Sequence, residues 1–273
     1  MVTFIYYSFV LAYTALIMIL TDTYQFTHYS DIIMTLVIII LAFIIAFISV
    51  LIMTWLLSFI RQNKPKDDHF NHAFARALLR FGLHIFRIKV YVSGKEHIPD
   101  HPFVLVGNHQ ENYDIIIIKP IFEHMPLDFI AKEALKSWPI FGRWIKILGN
   151  VFIAKEANRS AARSIIQGIK NVKSGIPMAI FPEGRRSRSN KMIDFKPGAF
   201  KLAMKPKADL LIITQYNVCK VFKHFPIRPF HVYVHIHPLM KYEDYKDMNS
   251  IELSEHVKGI IQGQLNTFEH TVS

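Results

Sequence analysis

A histidine and an aspartate five residues apart can divide a proton-transfer task. The carboxylate holds one ring nitrogen and leaves the other free to take a proton. Of the chain's 14 histidines only His109 has an aspartate at that distance, Asp114. His109 follows the apolar run Val104, Leu105, Val106, closed by Gly107, which reads as a buried strand. The polar residues from Asn108 to Tyr113 then fall in a loop at its carboxyl end, where open α/β sheets keep their ligands. By itself the spacing also describes a surface histidine beside a helix-capping aspartate.

A second segment shifts that balance. Phe181, Pro182, Glu183, Gly184, Arg185, Arg186, Ser187, Arg188 and Ser189 follow another apolar run, 177–180. One strand end therefore offers a base, and the other offers cations and a carboxylate.

The 273 residues are 51% hydrophobic, enough for a full core plus something extra. The extra part is residues 1–60, a membrane-anchoring helical hairpin ahead of a globular domain at 61–273. No Lys or Arg occurs before Arg61, Asp22 and Asp31 are the only acids there, and the two apolar runs 1–20 and 32–60 are each long enough to cross a hydrocarbon core. A cleaved signal peptide is disfavoured, because the start lacks a basic residue and no small-residue cleavage site follows Leu20. Arg61, Lys64 and Lys66 follow the second run, whereas the connecting loop carries two acids and no base, which places the globular domain on the cytoplasmic side of the cell membrane. A re-entrant hairpin in one leaflet gives the same side.

All 32 Lys and Arg lie beyond residue 60, in a chain whose formal net charge is +11. Such an excess favours anionic partners. Nucleic acid is disfavoured, since no recognition motif appears and the basic residues adjoin an apolar anchor. An anionic membrane or a phosphorylated lipid fits better. The single cysteine, Cys219, excludes an internal disulfide and a Cys-rich metal site. His231, His235 and His237 invite a zinc reading, but no acidic or Cys ligand pattern accompanies them, and no metal is expected.

Helical spacing marks 67–86, with Phe70, Phe74, Ala77, Leu78, Phe81 and Ile85 on one face. Arg76 and Arg80 take the other face, which suits either lipid headgroups or water. Strands are expected at 88–92, 104–107, 127–131, 151–153, 176–181, 210–214 and 230–236. Lys132 lies beyond the third, and Lys155 and Arg159 beyond the fourth. Short helices at 138–149 and 198–204, a longer one at 160–173, and a final one from 251 to 268 capped by Ser250 alternate with them. The expected fold class is α/β, a mostly parallel central sheet covered by helices on both faces, with the N-terminal membrane hairpin attached.

Together these blocks resemble the glycerolipid acyltransferase family. The resemblance rests on 108–114, on 149–155, on 181–188 and on Phe195, Lys196, Pro197, Gly198, Ala199 and Phe200, and spans roughly 86–265. It implies transfer of a fatty acyl group from acyl-CoA or acyl-carrier protein to the sn-2 hydroxyl of lysophosphatidic acid, giving phosphatidic acid in phospholipid biosynthesis. His109 would be the general base and Asp114 its orienting partner. Asn108, Lys155, Glu183, Gly184, Arg185 and Arg186 would bind substrate, with no cofactor. Three positions depart from the family pattern: Arg185 where Thr is usual, Lys155 where Arg is common, and 210–213 without its proline. The first two keep or add positive charge; the third bears on acyl-chain fit. Ser187 and Ser189 have no assigned base, so direct transfer is expected without an acyl-enzyme. Another lysophospholipid or glycerol 3-phosphate is the alternative acceptor. A membrane-anchored lipid-binding protein without turnover is the alternative class.

Overall fold

The structure is a computed structural model and describes residues 1–26, 28–154, 159–223 and 228–272. Two apolar helices open the chain, α1 (Val2–Leu20) and α2 (Tyr29–Arg61), both long and apolar enough to cross a membrane. They form a hairpin in which Val2, Tyr6 and Val10 cluster with the small residues Ala42 and Ala46 and with Val50. Small side chains on α2 permit the close approach. The same cluster continues into α3 (His69–Ile85) through Phe74 and Phe81, and into α5 (Phe141–Ile147) through Trp144 and Ile147. The hairpin is thus packed onto the body: the Trp144 indole donates to the Thr54 carbonyl at 3.0 Å.

The body is built on seven strands: β1 (Ile88–Ser93), β2 (Phe103–Gly107), β3 (Asp128–Lys132), β4 (Val151–Ile153), β5 (Met178–Ile180), β6 (Asp209–Tyr216) and β7 (Phe230–Ile236). Their order in the sheet is β1-β7-β6-β2-β5-β3-β4. Every neighbouring pair is parallel except β6 and β7, so five strands point one way, and β1 and β7, parallel to each other, point the other. Central β2 is buried on both faces, as its unbroken apolar run requires. One face packs Val104, Val106, Met178, Ile180 and Ile212 against α6 (Arg159–Lys173), α7 (Lys201–Met204) and α9 (Ser250–Val272). The other packs Phe103, Leu105, Phe129 and Ile213 against Ile118 of α4 (Asp114–Ile118) and the chain that follows it. A single turn, α8 (Tyr242–Tyr245), precedes α9.

Several local details differ from the sequence reading. The arginine face of α3 divides: Arg76 is buried, while Arg80 stays exposed, donates to the Pro120 carbonyl and pairs with Glu123 at 2.5 Å. Arg76 finds a protein partner instead, donating to the Met125 carbonyl at 3.5 Å. Asn249, not Ser250, caps α9. Its side chain accepts from the Ile251 and Glu252 N–H groups, while Glu252 accepts from the Asn249 N–H at 2.8 Å, a reciprocal box. The helix expected at 198–204 starts as a 3₁₀ turn, Pro197–Phe200, before α7.

Candidate active site

Because β2, β3, β4, β5 and β6 run in one direction, their carboxyl ends lie along one rim of the sheet. The loop after β2 delivers His109 and Asp114, which fold back onto each other with Nδ1 2.5 Å from Oδ2. Asp114 is fully buried, yet Oδ2 also accepts from the Gln110 N–H at 2.8 Å and the Glu111 N–H at 3.2 Å. Burial pushes its pKa up, and the bonds from His109, Gln110 and Glu111 oppose that shift. The arrangement favours the tautomer with the proton on Nδ1. Nε2, the atom that could accept a proton, makes no hydrogen bond among the described residues. The ring lies flat on Phe181 from the β5 loop, 4.6 Å between centroids and 9° between planes, which fixes its tilt.

The two loops are also joined through their backbones. Glu183 accepts from the His109 N–H at 2.8 Å and the Ile193 N–H at 3.3 Å, and the His109 carbonyl accepts from the Ser187 N–H at 2.8 Å. Burial raises Glu183 to about 7. Gly184 sits at φ +65°, a backbone conformation L side chains rarely adopt, so the turn favours glycine. Asn108 is buried, its amide bonded to the Gln215 N–H at 2.8 Å and the Gln215 carbonyl at 2.9 Å at the end of β6. Gln110 bonds the same carbonyl at 2.9 Å. Three strand ends thus hold one loop.

Arg186 is partly exposed and pairs with Glu111 at 3.0 Å. Arg185 is exposed, and its charge acts on Glu183 and Asp194. Lys155 lies outside the described residues. Three further cations, Lys132, Lys196 and Arg188, join the group: burial and then the charges of Arg186, Lys196 and Arg188 pull the Lys132 ammonium below its ordinary value. Like charges crowded at one rim are what an anionic ligand would relieve. Among the described residues no group of His, Cys, Asp and Glu could hold a metal; His235 instead bonds Ser93, and His237 bonds Thr214.

A sequence profile described as Acyltransferase matches residues 89–232. A 1-acyl-sn-glycerol-3-phosphate acyltransferase from Borreliella burgdorferi is 32% identical over 193 residues, 70% of this chain and 75% of the relative. The chain belongs to the acyltransferase family. The 1-acyl-sn-glycerol-3-phosphate acyltransferase of Salmonella typhimurium is 26% identical over 214 residues, covering 78% of this acyltransferase and 85% of the relative. Among solved structures, the 1-acyl-sn-glycerophosphate (LPA) acyltransferase PlsC from Thermotoga maritima aligns with a TM-score of 0.65 at 25% identity, covering 80% of this acyltransferase and 89% of that chain.

Sequence reasoning did not single out Glu111, Lys132 or Lys196 of this acyltransferase as site residues. Glu111 sits between two motif residues with nothing in its spacing to mark it, and only the fold brings it to Arg186. A usable signal for Lys132 was its place at the carboxyl end of a strand that runs parallel to the one before His109.

Proposed function

We propose that this acyltransferase moves a fatty acyl group from a thioester, acyl-CoA or acyl-carrier protein, to the sn-2 hydroxyl of lysophosphatidic acid, forming phosphatidic acid. The observation that carries the reading is the 2.5 Å His109–Asp114 pair at the same sheet rim as the Lys132, Arg186 and Lys196 cations. An alcohol needs a base as it attacks, and His109 Nε2 takes its proton while the oxygen bonds the thioester carbonyl carbon. The carbon–sulfur bond then breaks, and the imidazolium returns the proton to the departing thiolate. Asp114 orients the ring and stabilises its charged form without accepting the proton. Arg186 and its cationic neighbours bind the acceptor phosphate. Glu183, Asn108 and Gly184 hold the loops that place these groups.

In this reading residues 1–60 anchor the catalytic domain, 61–273, to the cell membrane with that domain on the cytoplasmic side. The basic residues Arg61, Lys64 and Lys66 at the end of α2 support that orientation. A lipid-binding protein without turnover has no need of an oriented base. Purified full chain given radiolabelled lysophosphatidic acid with each donor in turn should release free thiol and labelled phosphatidic acid in equal amounts. Acylation of glycerol 3-phosphate alone, or of no acceptor with either donor, would overturn the assignment.

A further inference from the structure

The connection between β3 and α5 carries two large aromatic side chains into solvent: Trp138 is 49% exposed and Phe141 is 44% exposed. Among the described residues beyond α2, no other two exposed large apolar side chains lie within three positions of each other. The backbone between them is strained. Ile140 adopts φ 62° and ψ −64°, a region β-branched residues avoid, and the Phe141 N–H closes a three-residue γ-turn onto the Pro139 carbonyl at 2.6 Å. Gly142 follows at a point where a Cβ would come within 2.5 Å of the Lys136 carbonyl oxygen. A plain connection would relieve that strain with glycine at 140. Here Ile140 packs inward on the cluster shared with the hairpin, which leaves Trp138 and Phe141 facing out.

The loop is continuous with the hairpin surface. Arg143 lies 3.8 Å over the Phe59 ring of α2, and Trp144 bonds the Thr54 carbonyl. Lys136 and Lys146 flank the aromatics and are exposed, with Glu133 the one nearby acid on the loop. At its other end the loop begins at Lys132, the cation of the site rim. Amphipathic aromatics flanked by lysine and arginine suit the headgroup level of an anionic bilayer.

We infer that residues 136–143 form a second membrane contact, seated in the interface of an anionic bilayer beside the hairpin, which holds the rim carrying Lys132 against the surface where the acceptor lies. This rests on the membrane-anchored reading above. The occupant is lipid rather than a protein partner because Arg143 joins the loop to Phe59 of α2, beside which Trp55, Leu56 and Ile60 are also exposed.

Position can be read without activity. Full chain carrying Trp138→Cys is labelled with an environment-sensitive fluorophore and reconstituted into vesicles of phosphatidylcholine and phosphatidylglycerol containing a headgroup-proximal quencher lipid. Glu255→Cys, on the exposed side of α9, is the comparison, and the unaltered chain is the labelling control because Cys219 is buried. The label at 138 should be quenched about twofold or more relative to 255, as expected for a side chain at interfacial depth. In parallel, Trp138→Ser with Phe141→Ser should lower turnover of bilayer-embedded acceptor by about 10-fold while sparing detergent-dispersed acceptor, since only interfacial seating is lost. Equal quenching at 138 and 255 in chains that float with the vesicles overturns the inference and leaves the anchoring reading standing. Equal loss toward both acceptor forms, or none, also overturns it. Failure to float overturns the anchoring reading, and the inference with it.

Discussion

Two fully buried aspartates stand at opposite ends of the sheet, and their surroundings differ in kind. Asp114, at the carboxyl end of β2, is met by a ring nitrogen at 2.5 Å and by the N–H groups of Gln110 and Glu111. Asp128, at the start of β3, has neither carboxylate oxygen hydrogen-bonded among the described residues. Its nearest cation, Lys119, is 4.0 Å away and donates instead to the Leu127 carbonyl at 2.6 Å. Burial dominates at the second site: it pushes Asp128 up to about 8, Lys119 down to about 8, and nearby His72 down to about 3. Gly149 makes room for it, since a Cβ there would meet Asp128 Oδ2 at 2.6 Å. Burial alone therefore does not mark a catalytic carboxylate. The distinguishing features are donors converging on it and an unpartnered ring nitrogen on the group it orients.

The contrast can be broken from either side. The largest effect is expected from Asp114→Asn, which removes the anion orienting His109 and should cut turnover by about 10² to 10⁴-fold, with thermal unfolding little changed. A comparable loss of rate in Asp128→Asn would erase the distinction. Next, Lys119→Met should leave rate per folded molecule intact and cost stability increasingly as pH rises towards 8, where Asp128 begins to ionise and its nearest cation is gone. Denaturant titration should show the loss smaller at pH 5, where Asp128 is protonated and needs no cation, than at pH 8. Arg186→Ala should raise acceptor KM about 10-fold, the size of a charge-assisted hydrogen bond of about 1.5 kcal/mol, and leave donor KM unchanged. The smallest effect is a pH slope. The folded pKa of Asp128 lies above its ordinary 3.8, so its contribution to stability is complete below that value and is lost as pH rises to about 8. Asp128→Asn should unfold at a temperature that varies less between pH 4 and 8 than the unaltered chain.

Much of this architecture was legible in the residues. β2 to β5 are apolar runs closed by glycine, proline or a charged residue, β1 and β7 alternate apolar with polar residues, and the parallel order follows from helices placed between runs. Asp114 was legible because its partner is five residues away. The Glu183 bond to the His109 backbone spans 74 positions, and a backbone acceptor leaves no mark in side-chain types. The buried Lys119–Asp128 pair was illegible for a related reason: both residues border apolar segments, where charged side chains ordinarily mark a surface. Arg76 misled in the same way. Helical periodicity reports which face is apolar, and it cannot foresee a neighbouring segment that satisfies a cation on the opposite face.

The central claim is that the His109–Asp114 pair performs base catalysis on a lipid hydroxyl. The most direct measurement is the steady-state acylation rate of lysophosphatidic acid by purified His109→Ala full chain, beside the unaltered chain, at saturating donor and with folding verified by thermal unfolding. Losing a general base should lower the rate by at least about 10²-fold in a folded protein that still binds the acceptor. A folded variant turning over at a rate near that of the unaltered chain would contradict the account.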